Sequence, residues 1–345
     1  MNPLASDLDR VLGVADEALC DLRGARLFVT GGTGFVGTWL LESLVWANRK
    51  LELDLHAVVL TRDPDRFAVK APHIAADSAI SLFAGDVMDF EPPSGPITHV
   101  IHAAAESGTR QNELDPLRMI DTVVQGTRHV LDAACGWGTP KVLFVSSGAV
   151  YGPQPSDIDR IPEEFLGGPD QLAPGTAYAE AKRLAELLCA TYAARRGLPV
   201  KIARCFAFVG PYLPIDVHFA IGNFIRDGLG GGPIVVRGDG TPSRSYLYAS
   251  DLASWLWTIL ARGESGRAYN VGSEEGRSIA EVARIVAEQF DPTPDVSVAN
   301  AAVEENGSRN LYVPSTRRAR EELGLRETVG LAEAVARTIA WHRGG

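Results

Sequence analysis

Short apolar runs alternate with amphipathic stretches between residues 26 and 205. Apolar runs rich in β-branched residues predict strands, and apolar positions that recur every three to four residues predict helices. The predicted strands cover 26–30, 56–61, about 80–84, 98–103, 141–146 and 199–205, and the predicted helices cover 35–47, 116–134 and 176–195. Strands that alternate with helices predict an α/β fold with a doubly wound parallel sheet.

Both ends of the chain depart from this alternation. Residues 1–25 carry a helical apolar pattern ahead of the first strand, which predicts an N-terminal helical extension. Glycine and proline punctuate short elements between Gly210 and Gly240, and helical patterns follow at 250–261, 278–289, 315–323 and 330–342. This change of character predicts a second region after about residue 205.

A glycine-rich turn joins the first predicted strand to the first predicted helix. Gly31, Gly34 and Gly37 are spaced by three in the segment TGGTGFVG at 30–37. Glycines let backbone N–H groups approach a pyrophosphate at a helix N-terminus, where the partial positive charge favours an anion. The turn therefore predicts a dinucleotide site, and a plain strand-to-helix connection is the alternative.

Tyr178 and Lys182 lie four residues apart in a stretch of strong helix formers, so they share one helix face. An ammonium beside a phenol stabilises the phenolate and lowers a tyrosine pKa from about 10, which makes Tyr178 a candidate proton donor and acceptor. A plain surface helix is the alternative. The strand that ends in Ser146-Ser147 brings hydroxyls to a strand terminus, where doubly wound sheets bind ligands.

The charge of the chain limits its partners. The 345 residues carry a formal net charge of −10, so there is no basic surface expected for nucleic acid or for an anionic membrane. We find no secretory signal and no apolar run of the roughly 18 residues that cross a bilayer. A polyanionic substrate would need local arginines.

The cysteines and histidines give no sign of a metal site. The four cysteines are widely separated and lack a CxxC pair, which predicts free thiols in a reducing cytoplasm. His99 and His102 lie in a predicted strand, where their spacing puts them on opposite faces. We therefore predict no metal.

Six motifs in order give the chain a resemblance to the extended short-chain dehydrogenases/reductases that act on nucleotide sugars. They are TGGTGFVG at 30–37, GDV at 85–87, HAAAES at 102–107, SSGAVYG at 146–152, Tyr178 with Lys182, and RSYLYASD at 244–251. The resemblance implies a Rossmann domain over 26–205, to which 233–262 partly returns. It also implies a smaller C-terminal α/β substrate-binding domain over 206–345.

The resemblance implies an NAD(P) cofactor. Its expected contacts are Gly31, Thr33, Gly34, Phe35, Val36, Gly37, Thr61, Arg62, Asp86, Val87, Ala103, Ala104, Ala105, Tyr178 and Lys182. A strand-end turn is the alternative role of Asp86. Where NAD-binding relatives place a carboxylate on the ribose, Thr61-Arg62 offers a hydroxyl and a guanidinium, which favours the 2′-phosphate of NADP. Asp63 and Asp65 nearby keep NAD as the alternative.

The resemblance also implies roles in the reaction. Ser147 aligns with the serine or threonine that binds the reacting oxygen, Tyr178 transfers the proton, and Lys182 anchors the ribose and tunes Tyr178. Arg244 lies in the motif that binds the diphosphate of a sugar nucleotide, for which a bidentate guanidinium is suited. The expected substrate contacts are Arg244, Glu106, Ser107, Gly148, Phe208 and Asn223.

Gly148 and Ala149 stand where the family's dehydratases typically carry acidic residues. Neither side chain can hold a proton, so we predict an NADPH-dependent 4-ketoreductase of a nucleoside-diphosphate 4-keto-6-deoxyhexose. An NAD-dependent 4-epimerase is the alternative, followed by a 4,6-dehydratase, with Glu106 as a possible acid, and a non-catalytic NAD(P) sensor. The resemblance also implies a homodimer formed through the helices near 116–134 and 176–195.

Overall fold

The structure of the protein is a computed structural model that describes residues 2–105, 115–138, 140–216, 219–299 and 310–344. The chain divides into two compact units. The first unit comprises Met1–Val150, Pro169–Arg204 and Ala253–Tyr269, and the second comprises Tyr151–Gly168, Cys205–Leu252 and Asn270–Gly345. The segment 151–168, which the predicted boundaries assign to the Rossmann domain, belongs to the second unit. The segment 253–269 belongs to the first unit, to which residues 233–262 are predicted partly to return.

Strands and helices alternate through the first unit and become shorter in the second. The strands are β1 (Arg26–Thr30), β2 (His56–Thr61), β3 (Ile80–Ala84), β4 (His99–His102), β5 (Lys141–Ser147), β6 (Val200–Cys205), β7 (Ala207–Val209), β8 (Ile234–Val236), β9 (Ser243–Arg244), β10 (Tyr246–Tyr248), β11 (Ala268–Val271), β12 (Arg277–Ser278), β13 (Val296–Val298) and β14 (Leu311–Tyr312). The helices are α1 (Ala5–Cys20), α2 (Phe35–Leu51), α3 (Pro64–Lys70), α4 (Pro72–Ala75), α5 (Pro116–Gly136), α6 (Ala177–Arg196), α7 (Ala220–Leu229), α8 (Ala249–Arg262), α9 (Ile279–Ala287), α10 (Arg317–Leu323) and α11 (Leu331–Gly344). Over the described ranges, none of these helices is both long and apolar enough to cross a membrane.

The main sheet confirms the predicted doubly wound α/β fold. Its seven strands lie in the order β11-β6-β5-β4-β1-β2-β3. Parallel pairing joins β3 to β2, β2 to β1, β1 to β4 and β4 to β5. The strand order reverses between β1 and β4, and sheets of this kind bind ligands outside the carboxyl ends of the strands at such a switch point.

The core of the first unit lies where α5 and α6 pack against the sheet. Phe28 of β1 and Phe144 of β5 are fully buried together with Val130 of α5 and Ala185 of α6. The ring of Phe28 lies 5.0 Å from that of Trp137, which follows α5. Each buried side chain of this size stabilises the fold by about 1.5–3 kcal/mol, so this packing fixes the strand ends that carry the site.

The N-terminal extension forms α1, which packs against α2 within the first unit. Leu8 and Val11 are fully buried on its inner face. The indole of Trp46 in α2 donates to Asp9 at 2.8 Å, and Arg262 at the end of α8 pairs with Glu17 and Asp21. The predicted helical extension is therefore an integral layer of the unit.

The second unit is held by a buried network around Asn270. The hydroxyl of Tyr151 donates to its side-chain oxygen at 2.8 Å, and its amide group donates to the carbonyls of Ile161 and Ser315 at 2.9 and 3.0 Å. Its backbone N–H donates to Glu163 at 2.9 Å, and burial raises the pKa of that carboxyl. These bonds attach the segment 151–168 to the second unit.

Candidate active site

The glycine turn sits at the switch point between β1 and β4. Gly31 has a φ of +71°, and a Cβ there would lie 2.5 Å from the carbonyl carbon of Ala103. A Cβ at Gly37 would lie 2.3 Å from the carbonyl oxygen of Gly31. Both positions therefore require glycine, because backbone already fills the space of a side chain.

The turn leads directly into the N-terminus of α2. Gly34 is its N-cap and has no side chain that could accept a bond from the first turn. The unpaired N–H groups of a first helical turn, together with the helix dipole, form an anion site. Thr33, Phe35 and Val36 are half-buried around it. This geometry fits the predicted pyrophosphate contact.

His102 holds the backbone that faces the glycine turn. Its Nε2 lies 3.0 Å from the Thr127 hydroxyl, which itself donates to the carbonyl of Val123 at 2.5 Å. Nε2 must therefore donate, and Nδ1 accepts from the Thr30 hydroxyl at 2.7 Å. The same hydroxyl accepts from the Ala104 N–H at 3.2 Å. This chain of bonds fixes the predicted cofactor segment 103–105.

The imidazole of His102 is neutral in this arrangement. Complete burial, and then the nearby Lys182, lower its pKa to about 3. Sequence reasoning weighed His102 only as a metal ligand. It missed the role of His102 in positioning the segment 103–105. The sequence signal for that role is that Thr30 and His102 each end a strand, and the two strands prove to be neighbours.

The end of β2 carries Thr61 and Arg62. Thr61 is buried, and its hydroxyl oxygen accepts from the Asp63 N–H at 3.3 Å, whereas Arg62 is exposed. Asp63 caps α3 by accepting from the Arg66 N–H at 2.9 Å. One oxygen of Asp63, which is one of the two carboxylates that could bind a ribose, thus caps this helix.

Lys70 is a cation at the glycine turn that sequence reasoning missed. It ends α3, and its Nζ donates to the carbonyl of Thr33 at 2.9 Å and to the hydroxyl of Thr38 at 3.3 Å. Burial and the neighbouring Arg66 lower the pKa of Lys70. The elements predicted from the sequence include no helix between β2 and β3, and α3 is the element that brings this lysine back to the turn.

Asp86 and Val87 follow β3. Asp86 accepts from the Met88 N–H at 3.0 Å, which is the bond of a turn-forming aspartate. Val87 is buried against α5, and a Cβ at Gly126 would lie 2.8 Å from its side chain. The contact of both residues with an adenine ring stays a prediction.

The predicted catalytic residues lie on β5 and on α6, which is bonded to the end of that strand. The Nζ of Lys182 donates to the carbonyl of Val145 at 2.8 Å and lies 6.0 Å from the centroid of the Tyr178 ring. Lys182 is 1% exposed, so its charge acts in a medium where water screens it poorly. Ser147 ends β5, and its Oγ accepts from the Ala149 N–H at 3.2 Å. The fold thus supplies a hydroxyl, a phenol and an ammonium from two adjacent elements.

The turn after Ser147 contains no acid. Residues Gly148–Tyr151 form a short 3₁₀ helix, in which Gly148 is buried and Ala149 half-buried. Glu106 and Ser107, the other substrate contacts predicted near this strand end, lie outside the described residues.

Arg244 lies in the second unit, where its guanidinium contacts uncharged groups. It donates to the carbonyl of Ser243 at 2.8 Å and to Asn310, and it lies 5.9 Å from the ring of Tyr312. Burial lowers the pKa of Arg244. Within the part of the chain that the structure describes, no carboxylate pairs with it. A half-buried arginine of this kind suits an anionic ligand.

The two other predicted substrate contacts in the second unit give a weaker indication of a ligand than Arg244 does. Asn223 on α7 accepts from the Arg226 guanidinium at 3.0 Å, so its side-chain oxygen is engaged. Its amide hydrogens are the donors that a phosphate would need. Phe208 is half-buried in β7. Substrate binding by either residue stays a prediction.

These features define a dinucleotide-binding protein of the short-chain dehydrogenase/reductase type. They are a doubly wound sheet, a glycine turn at the switch point of that sheet, and a set of Ser, Tyr and Lys residues. Residues 27–272 match the NAD dependent epimerase/dehydratase family, and the chain belongs to it. The family resemblance expected from the motifs is thereby confirmed.

Similar proteins include both decarboxylases and dehydratases. The chain is 28% identical over 322 residues to UDP-glucuronic acid decarboxylase 1 of Xenopus tropicalis, covering 92% of this chain and 72% of that protein. It is 27% identical over 322 residues to a dTDP-glucose 4,6-dehydratase of Streptomyces antibioticus, covering 92% of each. A solved dTDP-glucose 4,6-dehydratase from Streptomyces venezuelae, with NAD bound, superposes with a TM-score of 0.77 at 27% identity, covering 92% of this chain and 97% of that one.

Proposed function

We propose that the protein is an NADPH-dependent reductase that acts on the 4-keto group of a nucleoside-diphosphate 4-keto-6-deoxyhexose. The observation that carries this proposal is the turn after β5, where Gly148 and Ala149 follow the hydroxyl of Ser147. The groups for proton transfer at a carbonyl are present at this strand end, and the acid expected of a dehydratase is missing from its place.

Each residue of the set has a task that its position supports. Lys182, held by the carbonyl of Val145, stabilises the phenolate of Tyr178 and binds the cofactor ribose. Tyr178 gives its proton to the substrate oxygen, and Ser147 donates a hydrogen bond to the same oxygen. The bound cofactor supplies the hydride. General acid catalysis of this kind contributes about 10²–10⁴-fold to a rate.

The same turn argues against the reaction of the 4,6-dehydratases among the named relatives. A 4,6-dehydratase must protonate the hydroxyl that leaves carbon 6, and the family resemblance puts acidic side chains at positions 148 and 149 for that purpose. A glycine and an alanine cannot do this. We therefore propose that the protein consumes a keto sugar and does not make one.

Basic residues around α3 favour NADP over NAD. Arg62 precedes the helix, and Arg66 and Lys70 lie four residues apart on it, so they share a face. Arg62 can pair with a 2′-phosphate. Of the two carboxylates that could instead bind the ribose, Asp63 and Asp65, the first is engaged as the helix cap. The residues on this side of the glycine turn therefore suit the dianionic 2′-phosphate of NADP better than the free 2′-hydroxyl of NAD.

The reaction is tested by supplying the purified protein with NADPH and a set of nucleoside-diphosphate 4-keto-6-deoxyhexoses. We expect NADPH to be oxidised in step with the sugar, and we expect intact nucleotide hexoses without added cofactor to stay unchanged. The Tyr178→Phe variant is the control for background oxidation. Interconversion of two intact hexoses would make the protein a 4-epimerase, and release of water would make it a dehydratase. Binding of NADPH without any turnover would make it a sensor.

We also propose a homodimer through the outer faces of α5 and α6. Leu117 and Leu187 are 73% and 61% exposed, and Ile120 and Leu184 are exposed beside them along the two helices. Exposed apolar side chains grouped in this way are typical of association surfaces. Sedimentation of the wild type and of Leu187→Lys tests this: the wild type should sediment as a dimer and the variant as a monomer.

A reducing cytoplasm stays our prediction for the location of the protein. The four cysteines are Cys20, Cys135, Cys189 and Cys205, and none of them is in a disulfide. Free thiols are what a reducing compartment maintains. Counting the thiols of the native and of the unfolded protein, purified without reductant, checks this chemical state. We expect four reactive thiols after unfolding.

A further inference from the structure

The inner face of α6 carries a third polar residue besides the catalytic pair. Tyr178, Lys182 and Glu186 are spaced by four, so they lie on the same side of the helix. Eight residues of helix put Glu186 about 12 Å from Tyr178 along the axis. Glu186 therefore has no part in the proton transfer proposed above.

The carboxylate of Glu186 joins α6 to two neighbouring strands. Its Oε1 accepts from the Ser146 hydroxyl of β5 at 2.6 Å. The guanidinium of Arg204 in β6 donates to Oε1 through Nε at 3.1 Å and to Oε2 through Nη2 at 2.7 Å. The side chains of Arg204 and Glu186 are only 17% and 12% exposed. Charge-assisted, two-pronged contacts of this kind are among the strongest and most directional hydrogen bonds in proteins.

These contacts continue a pattern that begins at the catalytic lysine. Lys182 donates to the carbonyl of Val145, and one turn later Glu186 accepts from Ser146, the next residue of β5. Ser147 follows directly. Two successive turns of α6 thus hold two successive residues of β5, and the third residue of that strand is the proposed catalytic serine.

We infer that Glu186 is a positioning residue, which holds α6 against the end of β5 through Ser146 and Arg204 and thereby sets the geometry of Ser147, Tyr178 and Lys182. The inference rests on the proposed proton transfer for its kinetic consequence. Its structural basis, the contacts of one largely buried carboxylate with two strands, is independent of the substrate.

The central variant is Ser146→Ala, because it removes one hydroxyl from the network and leaves the ion pair in place. Its matched control is Tyr192→Phe, which removes another hydroxyl bond of α6, the one that Tyr192 donates to Asp132 of α5 at 2.5 Å. Both variants should lower the unfolding temperature by similar small amounts. Only Ser146→Ala should lower kcat, on the order of tenfold, with KM unchanged.

The conservative variant Ser146→Thr keeps a hydroxyl, and it should restore kcat to near the wild-type value. Glu186→Gln keeps the shape of the side chain but loses the charge, and it should reproduce the kcat loss of Ser146→Ala. Equal losses of kcat in Ser146→Ala and Tyr192→Phe would overturn the inference, since they would reflect general stability and not position.

A titration separates this inference from the proposed reaction. The ultraviolet difference between each protein and its own Tyr178→Phe counterpart reports the pKa of Tyr178 without any substrate. We expect Ser146→Ala to raise that pKa by up to about one unit, because α6, which carries Lys182 and Tyr178, is then held less firmly against the end of β5, and Tyr192→Phe to leave it unchanged. An unchanged pKa in both Ser146→Ala and Glu186→Gln would refute the positioning role. A wild type without turnover would refute only the proposed reaction.

Discussion

Replacing Gly31 with alanine tests the close approach of β1 and β4 on which the cofactor site is built. A Cβ at this position would lie 2.5 Å from the carbonyl carbon and oxygen of Ala103 and 2.6 Å from the nitrogen of Ala104. These atoms cannot move aside freely, because Thr30 binds both N–H groups of the segment. Gly24 provides the matched control: it has the same φ of +71°, and nothing lies within 4 Å of its Cβ position.

The losses in the free energy of unfolding of Gly31→Ala and Gly24→Ala should therefore differ only by the steric clash of the added Cβ. Alanine in a left-handed conformation costs about 1–2 kcal/mol, which is all that Gly24→Ala should lose. Overpacking adds roughly 1–3 kcal/mol at Gly31, so Gly31→Ala should lose about 2–5 kcal/mol in total.

Thermal unfolding followed by circular dichroism measures this difference. A large domain loses roughly 2 °C per kcal/mol, so Gly31→Ala should unfold several degrees below Gly24→Ala. NADPH titration should show that Gly24→Ala binds the cofactor as the wild type does and that Gly31→Ala does not. Equal unfolding temperatures with equal NADPH affinities would mean that the ends of β1 and β4 are further apart than the structure shows.

Three further predictions concern single groups. Tyr178→Phe should lose about 10²–10⁴-fold in kcat and keep its NADPH affinity; survival of activity within a few-fold would mean that another group is the acid. Arg62→Asp should move cofactor preference from NADP toward NAD, and titration of both proteins with both cofactors measures the change. Burial, helped by Asp251, raises the pKa of Glu327 from 4.5 to about 7 despite the hydrogen bond from Ser273. The fold then keeps a proton that the unfolded chain releases, so the unfolding temperature of the wild type should fall relative to Glu327→Gln between about pH 4.5 and 7.

Elements with a strong local period were predictable from the sequence. The predicted strands and helices of the sheet region appear within a few residues of their predicted bounds, because the buried run of β5 and the apolar face of α5 each come from one continuous segment of the chain. The glycine turn was readable for the same reason, since Gly31, Gly34 and Gly37 lie within seven residues.

Contacts between distant parts of the chain were not predictable in this way. The bond from Lys70 to Thr33 depends on α3, a short helix that Asp63 starts in a segment without a clear period. The network of Glu186 joins residues 146, 186 and 204, and nothing in the local pattern says that these side chains meet. Sequence reasoning therefore predicted candidate ligand contacts and missed the residues that hold those candidates in place.

The position of α1 bears on how random mutations would be interpreted. This helix contributes no residue to the predicted cofactor contacts, yet Leu8 and Val11 bury their side chains in the same unit and Asp9 holds Trp46 of α2. The other end of α2, its N-terminus, directly follows the glycine turn. A screen for weakened cofactor affinity should thus recover substitutions in the first twenty residues, and a truncation that begins at β1 would expose an apolar flank of the nucleotide-binding helix to water.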